Sequence, residues 1–177
     1  QGAVLRRICG LAVDGPVTMK DRANKTGGSG NHGPAAGIAA RDMARAAATE
    51  AARQAKLDSF HILDTPPEQD FDTITWLAQS LLGCPVAVVS LVDRDRQWFK
   101  SRQGIDLAGT PRSDAFCAHA IHDEDVMVVE DATRDPRFAD NPLVTGEPGV
   151  RFYAGVPLRP ASAGHDDDLP AIGALCV

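Results

Sequence analysis

Residues 85–104, PVAVVSLVDRDRQWFKSRQG, constrain this chain more than any other stretch. Val86 to Val92 are apolar with no regular alternation, which predicts a strand buried on both faces, at the centre of a sheet. The four charged residues Asp93, Arg94, Asp95 and Arg96 predict a tight turn. Gln97 to Arg102 then resume with mixed polar and aromatic character, as a hairpin partner with one wet face. Three further segments belong with this hairpin: SDAFCAHAI at 113–121, DPRFADNPLVTGEPGVRFYAGVPL at 135–158 and IGALCV at 172–177. They read as a short helix, a Pro-punctuated loop running into a strand, and a last strand. Val126 to Val129, Phe152 to Leu158 and Ala171 to Val177 supply the additional strands. Short strands separated by helical stretches predict an α+β fold, a mostly antiparallel central sheet flanked by helices.

Upstream, three stretches differ in kind. From Lys20 to Gly37 the chain is rich in Gly, Ser, Asn and Pro and lacks large apolar residues, so residues 1–39 read as a flexible linker or extension. Its glycines are not followed by the Gly-Lys-Ser/Thr ending that a phosphate loop needs. Residues 40–64, ARDMARAAATEAARQAKLDSFHILD, hold no Gly or Pro and predict an N-terminal helix whose apolar content is mostly Ala until Leu57. From residue 65 to 177 a compact domain follows. Thr65, Pro66 and Glu68 suit a capped helix start. Phe71, Ile74, Leu77 or Ala78, and Leu81 fall on one helical face. Gly83 predicts the stop, with Cys84 held extended by Pro85.

Charge narrows the partners. The formal charge is +4 over residues 1–48 and −10 over 49–177, so the folded part is acidic. Nucleic-acid binding, which rests on Lys and Arg neutralising phosphates, is not expected. No apolar run approaches the ~18 residues of a spanning helix, so no membrane segment is expected. The four cysteines, Cys9, Cys84, Cys117 and Cys176, are widely spaced and follow no secretory pattern, which points to the cytoplasm. The first residue is Gln1, and Met19 is an alternative start.

Chemistry-bearing residues concentrate around Cys117. On a helix, Cys117 and Ile121 share one face while His119 and His122 share another. A closed zinc site needs about four ligands, and the remaining Cys and His of the domain are distant in sequence, so no metal is expected. A cysteine nucleophile needs a positioned base, and His119 points the wrong way around the helix. Asp166, Asp167 and Asp168 are adjacent rather than turn-spaced, as in a solvated loop rather than a cation site. Asp135 to Pro142 is turn chemistry.

As a joint set, the four segments resemble a GAF domain, the PAS-related small-molecule-sensing module that precedes output domains in bacterial signalling proteins. The resemblance covers Leu57 to Val177. It implies a regulatory, non-enzymatic fragment in a protein whose output is a histidine kinase, diguanylate cyclase or phosphatase. It also implies that the domain continues beyond Val177 into a C-terminal helix. Ala118 separates Cys117 from His119, so the Cys-His pair that holds a bilin is not carried over, and the Asn-Lys-Phe-Asp-Glu signature of cyclic-nucleotide relatives is missing. The cofactor is therefore unidentified. What the resemblance implies is a pocket for an unidentified small-molecule ligand between sheet and helix, lined by Phe116, Cys117, His119, Asp131, Phe138, Arg151 and Tyr153, with residues 135–142 as its lid. Arg151 either enters that pocket or pairs with an acid of the Asp-rich loops. A homodimer through the N-terminal helix is expected. Two rival readings remain: a thiol enzyme reducing free methionine sulfoxide through Cys84 and Cys117, and a purely structural dimerisation module.

Overall fold

The computed structural model describes residues 35–160 and 169–177, with side chains from Met43 onward. Cys9, Met19, most of the linker reading and the Asp166–Asp168 loop lie outside the described residues. The first helix, α1 (Ala35–Ser59), opens five residues before the predicted Ala40. It turns Arg53, Gln54 and Leu57 inward. A second helix, α2 (Gln69–Leu82), ends at Gly83 in the left-handed conformation, φ 63°, which a residue without Cβ adopts without strain.

Six strands form one antiparallel sheet. They are β1 (Ala87–Val92), β2 (Arg96–Gln103), β3 (Gly109–Pro111), β4 (Met127–Val129), β5 (Tyr153–Leu158) and β6 (Gly173–Cys176), in the order β3-β2-β1-β6-β5-β4. Every residue of β1 is buried, as a central strand requires. Val88 and Val92 enter the main core, together with Phe99, Phe116, Met127, Val129, Phe138 and Tyr153. Two single-turn helices, α3 (Cys117–Ala120) and α4 (Pro142–Thr145), lie on that core side. Asn141 caps α4 by accepting from the Leu143 amide at 2.9 Å.

Three local expectations are revised. The second helix starts at Gln69, not at Pro66, because the intervening residues are otherwise engaged. The Lys100 ammonium donates to Thr65 Oγ1 at 2.7 Å and to the Pro66 carbonyl at 2.9 Å, and pairs with Glu68. Thr65 and Glu68 thus solvate a buried cation instead of capping a helix. Second, the face of α2 that packs is mixed, with Phe71 and Ala78 of the expected stripe half-buried beside polar residues. Thr75 is its fully buried residue, whereas Ile74, Leu77 and Leu81 are exposed. The Thr75 and Ser101 hydroxyls lie 2.7 Å apart, and Ser101 donates to Asp72 Oδ1 at 2.6 Å. Third, β2 is drier than expected, with only Arg102 exposed between Gln97 and Arg102. The register slips between Val89 and Ser90, pairing Val89 with Ser101 and Ser90 with Phe99, so Lys100 is the extra residue of a bulge. Lys100 and Ser101 are both buried.

Candidate functional site

The β2–β3 pairing sets Gln97 opposite Thr110, on the edge of the sheet next to Phe99. With Val88 on β1 they form one wall of a cavity of about 410 Å³. Phe116 and Cys117, where α3 begins, also line it, as do Leu143 of α4 and Pro148 and Val150 of the loop leading to β5. Its volume falls in the range of small-molecule sites, and its walls are mostly apolar.

At the inner end lie two buried thiols. Cys117 Sγ and Cys176 Sγ are 3.5 Å apart, and the Tyr153 hydroxyl donates to Cys117 Sγ at 3.3 Å. The hydrogen bond from Cys176 holds the Cys117 thiol below the usual range, with Tyr153 helping against burial. Sharing with Cys117 and burial push Cys176 well up. Burial, with the adjacent thiols, pushes the Tyr153 phenol up as well, so it remains a donor. The thiol beside Cys117 is therefore Cys176, not Cys84.

Of the residues singled out from the sequence, Phe116, Cys117, Arg151 and Tyr153 line this cavity. Phe138 packs one layer behind, its ring stacked on Phe116 at 4.0 Å between centroids. His119 and Asp131 stand outside the lining. His119 is exposed on the far side of α3, edge-on to Phe138 at 4.9 Å. Partial burial and then the nearby Arg137 charge lower its pKa. Asp131 closes its own turn, accepting from the Thr133 amide at 3.0 Å and hydroxyl at 2.6 Å. Arg151 takes neither of its two expected roles in full. It sits exposed at the rim and donates from Nη1 to the Val144 and Val150 carbonyls at 2.8 and 3.1 Å. Phe152 would face away from Tyr153 by strand alternation, yet it also lines the cavity, because β5 begins only at Tyr153.

Sequence reasoning missed Gln97, Thr110 and Cys176. Gln97 falls in a strand read as having one wet face, and Thr110 carries no sequence signal of its own. The signal available for Gln97 was its neighbour Phe99, two positions along the strand and so on the same face. Among the described residues no group of three or more His, Cys, Asp or Glu side chains is placed to hold a metal ion. No described helix is long and apolar enough to cross a membrane.

Residues 66–177 match the GAF domain family, and the chain belongs to it. It is 44% identical over 128 residues to a cyclic di-GMP phosphodiesterase of Pseudomonas aeruginosa, an alignment covering 72% of this chain and 21% of that protein. The chain thus spans about a fifth of the length of the curated relative it matches. Among solved structures it is similar to the GAF domain of an Acinetobacter phosphoenolpyruvate-protein phosphotransferase, at 15% identity and TM-score 0.45 over 73% of this chain and 75% of that one. A GAF sensor protein of Burkholderia vietnamiensis aligns at 18% identity and TM-score 0.44 over 74% of each chain. Fold, family and relative agree on a regulatory domain of a signalling protein.

Proposed function

We propose that the cavity is the sensor site of this regulatory domain and that its occupancy controls cyclic di-GMP hydrolysis elsewhere in the parent protein. The observation that carries the reading is the cavity itself, a 410 Å³ apolar recess lined by Phe116, Cys117 and Tyr153 in the core of the domain. Phosphodiesterase output rests on the 44% identical relative, which is neither a kinase nor a cyclase. It is therefore preferred to the histidine kinase and diguanylate cyclase expected from the sequence. A ligand would act by binding one arrangement of the domain better than another, shifting their populations by its differential affinity. The same reading takes the parent as a cytoplasmic homodimer paired through α1, whose Met43 is exposed.

The test is a thermal-shift screen of small molecules on the chain and on an Ile105→Trp variant, in which the indole fills the cavity. A true ligand at about 100 times its Kd stabilises the protein by about 2.7 kcal/mol. It should raise the wild-type melting temperature and leave the filled variant unmoved. Hits are then tested for altered cyclic di-GMP hydrolysis by the full-length parent protein. Equal shifts in both forms, or no effect on hydrolysis, would refute the reading.

A further inference from the structure

The polar groups that line the cavity are accounted for one by one, apart from two. Tyr153 is committed to Cys117, and Arg151, the single charged side chain of the lining, is turned to two backbone carbonyls. Gln97 and Thr110 differ. They are 6% and 9% exposed, they are cross-strand partners, and Gln97 Oε1 and Thr110 Oγ1 meet no hydrogen-bond partner. Buried polar atoms are almost always satisfied, and of the unpartnered ones these two belong to residues that line the cavity; neither oxygen is open to it as the side chains stand, so a partner reaches them by a turn of each side chain. Phe99 and Val88 beside them, with Phe116 and Val150 of the same lining, offer only apolar surface.

We propose that the sensor site takes an uncharged, largely apolar small molecule carrying one hydroxyl or amide N–H group, which docks on Gln97 and Thr110. This rests on the reading of the cavity as a ligand site and adds the ligand's chemistry. An amide oxygen accepts only, and a threonine hydroxyl accepts and donates, so together they suit a single donor head. An anion is disfavoured at Gln97 and Thr110, because burying a charge without a paired counter-charge is costly and the lining's one charged side chain, Arg151, sits exposed at the rim with Nη1 held by two carbonyls.

Three probes of one shape test this by fluorescence titration: 1-naphthol, 1-methylnaphthalene and 1-naphthoate. The expected order is 1-naphthol tightest, 1-methylnaphthalene about tenfold weaker for want of the donor, and 1-naphthoate not bound. In a Gln97→Leu/Thr110→Val variant the naphthol preference should vanish and 1-methylnaphthalene should bind more tightly. Thr110→Val alone, a near-isosteric change, should reduce the preference in the same direction. If both neutral probes bind alike to wild type and variant, or if naphthoate binds best, this inference is overturned while the cavity remains a ligand site. If no probe binds the wild-type chain, the inference and the cavity reading fall together.

Discussion

Glu50 is the place where a single proton should loosen the N-terminal helix. Its carboxylate receives Arg53 at Oε1 and Oε2, both at 2.8 Å, Arg112 at 2.7 Å and Gln54 at 3.1 Å. Arg112 precedes α3 in the body of the domain, so the cluster ties α1 to it. The Arg53 side chain is only 3% exposed, and its Nη1 has no partner. Glu50→Gln removes the counter-charge and leaves a buried guanidinium. Breaking a buried pair from one side costs about 3–5 kcal/mol. Glu50 is 33% exposed, and the amide still offers one acceptor, so about 2–3 kcal/mol is expected once solvent screening is allowed for. For a domain of this size that is a fall of roughly 6–15 °C in melting temperature at pH 7. The pH dependence has a definite sign. The Arg53 hydrogen bonds, followed by those of Arg112 and Gln54, hold the Glu50 pKa well below its ordinary 4.5 in spite of burial. Its contribution is thus complete above pH 4.5 and is lost as the pH falls below that value toward the folded-state pKa. The gap between wild type and Glu50→Gln, followed by circular dichroism melts, should be widest at neutral pH and narrow in acid. A Glu50→Leu/Arg53→Met double variant, which removes both charges, should recover most of the loss. A Glu50→Gln melting temperature within about 2 °C of wild type at pH 7, in place of that fall, would show that the cluster does not hold α1.

Three further outcomes follow from the same structure. Thr110→Val should raise the stability of the ligand-free chain by about 1 kcal/mol in urea, because an unpartnered buried hydroxyl is removed; a loss of stability would mean that the hydroxyl is satisfied. Tyr153→Phe removes a donor to Cys117, so the Cys117 pKa should rise and its alkylation at pH 8, followed by mass spectrometry, should slow about tenfold. An unchanged rate would remove Tyr153 from that thiol's environment. Gly104→Ala should cost about 2–4 kcal/mol in the same urea assay, since φ is +73° and a Cβ would stand 1.9 Å from the Pro85 carbonyl oxygen. A variant as stable as wild type would show that this turn can relax.

What the sequence disclosed and what it hid follow one physical line. Apolar runs were legible, because burial on both faces leaves no competing reading: β1 and the last two strands lie within a residue or two of their expected bounds. Gly83 was legible because the left-handed stop favours a residue without Cβ. The three residues of β3 were not, since a Gly-Thr-Pro strand exists only through its pairing with β2. Two further misreadings involve polar residues that the fold buries. Lys100, Ser101 and Thr75 form a polar contact between α2 and β2, so Ile74, Leu77 and Leu81 of the helix's apolar stripe, read as its packing face, point to solvent. Gln97 and Thr110 were passed over as well, and they are the groups on which ligand selectivity is argued to depend. Around Lys100 periodicity fails because hydrogen bonding, rather than apolar area, decides which face is inside. Where each polar partner is present, as around Lys100, burial completes a structural contact. Where the partners are missing, as at Gln97 and Thr110, the same burial marks the position a ligand would complete.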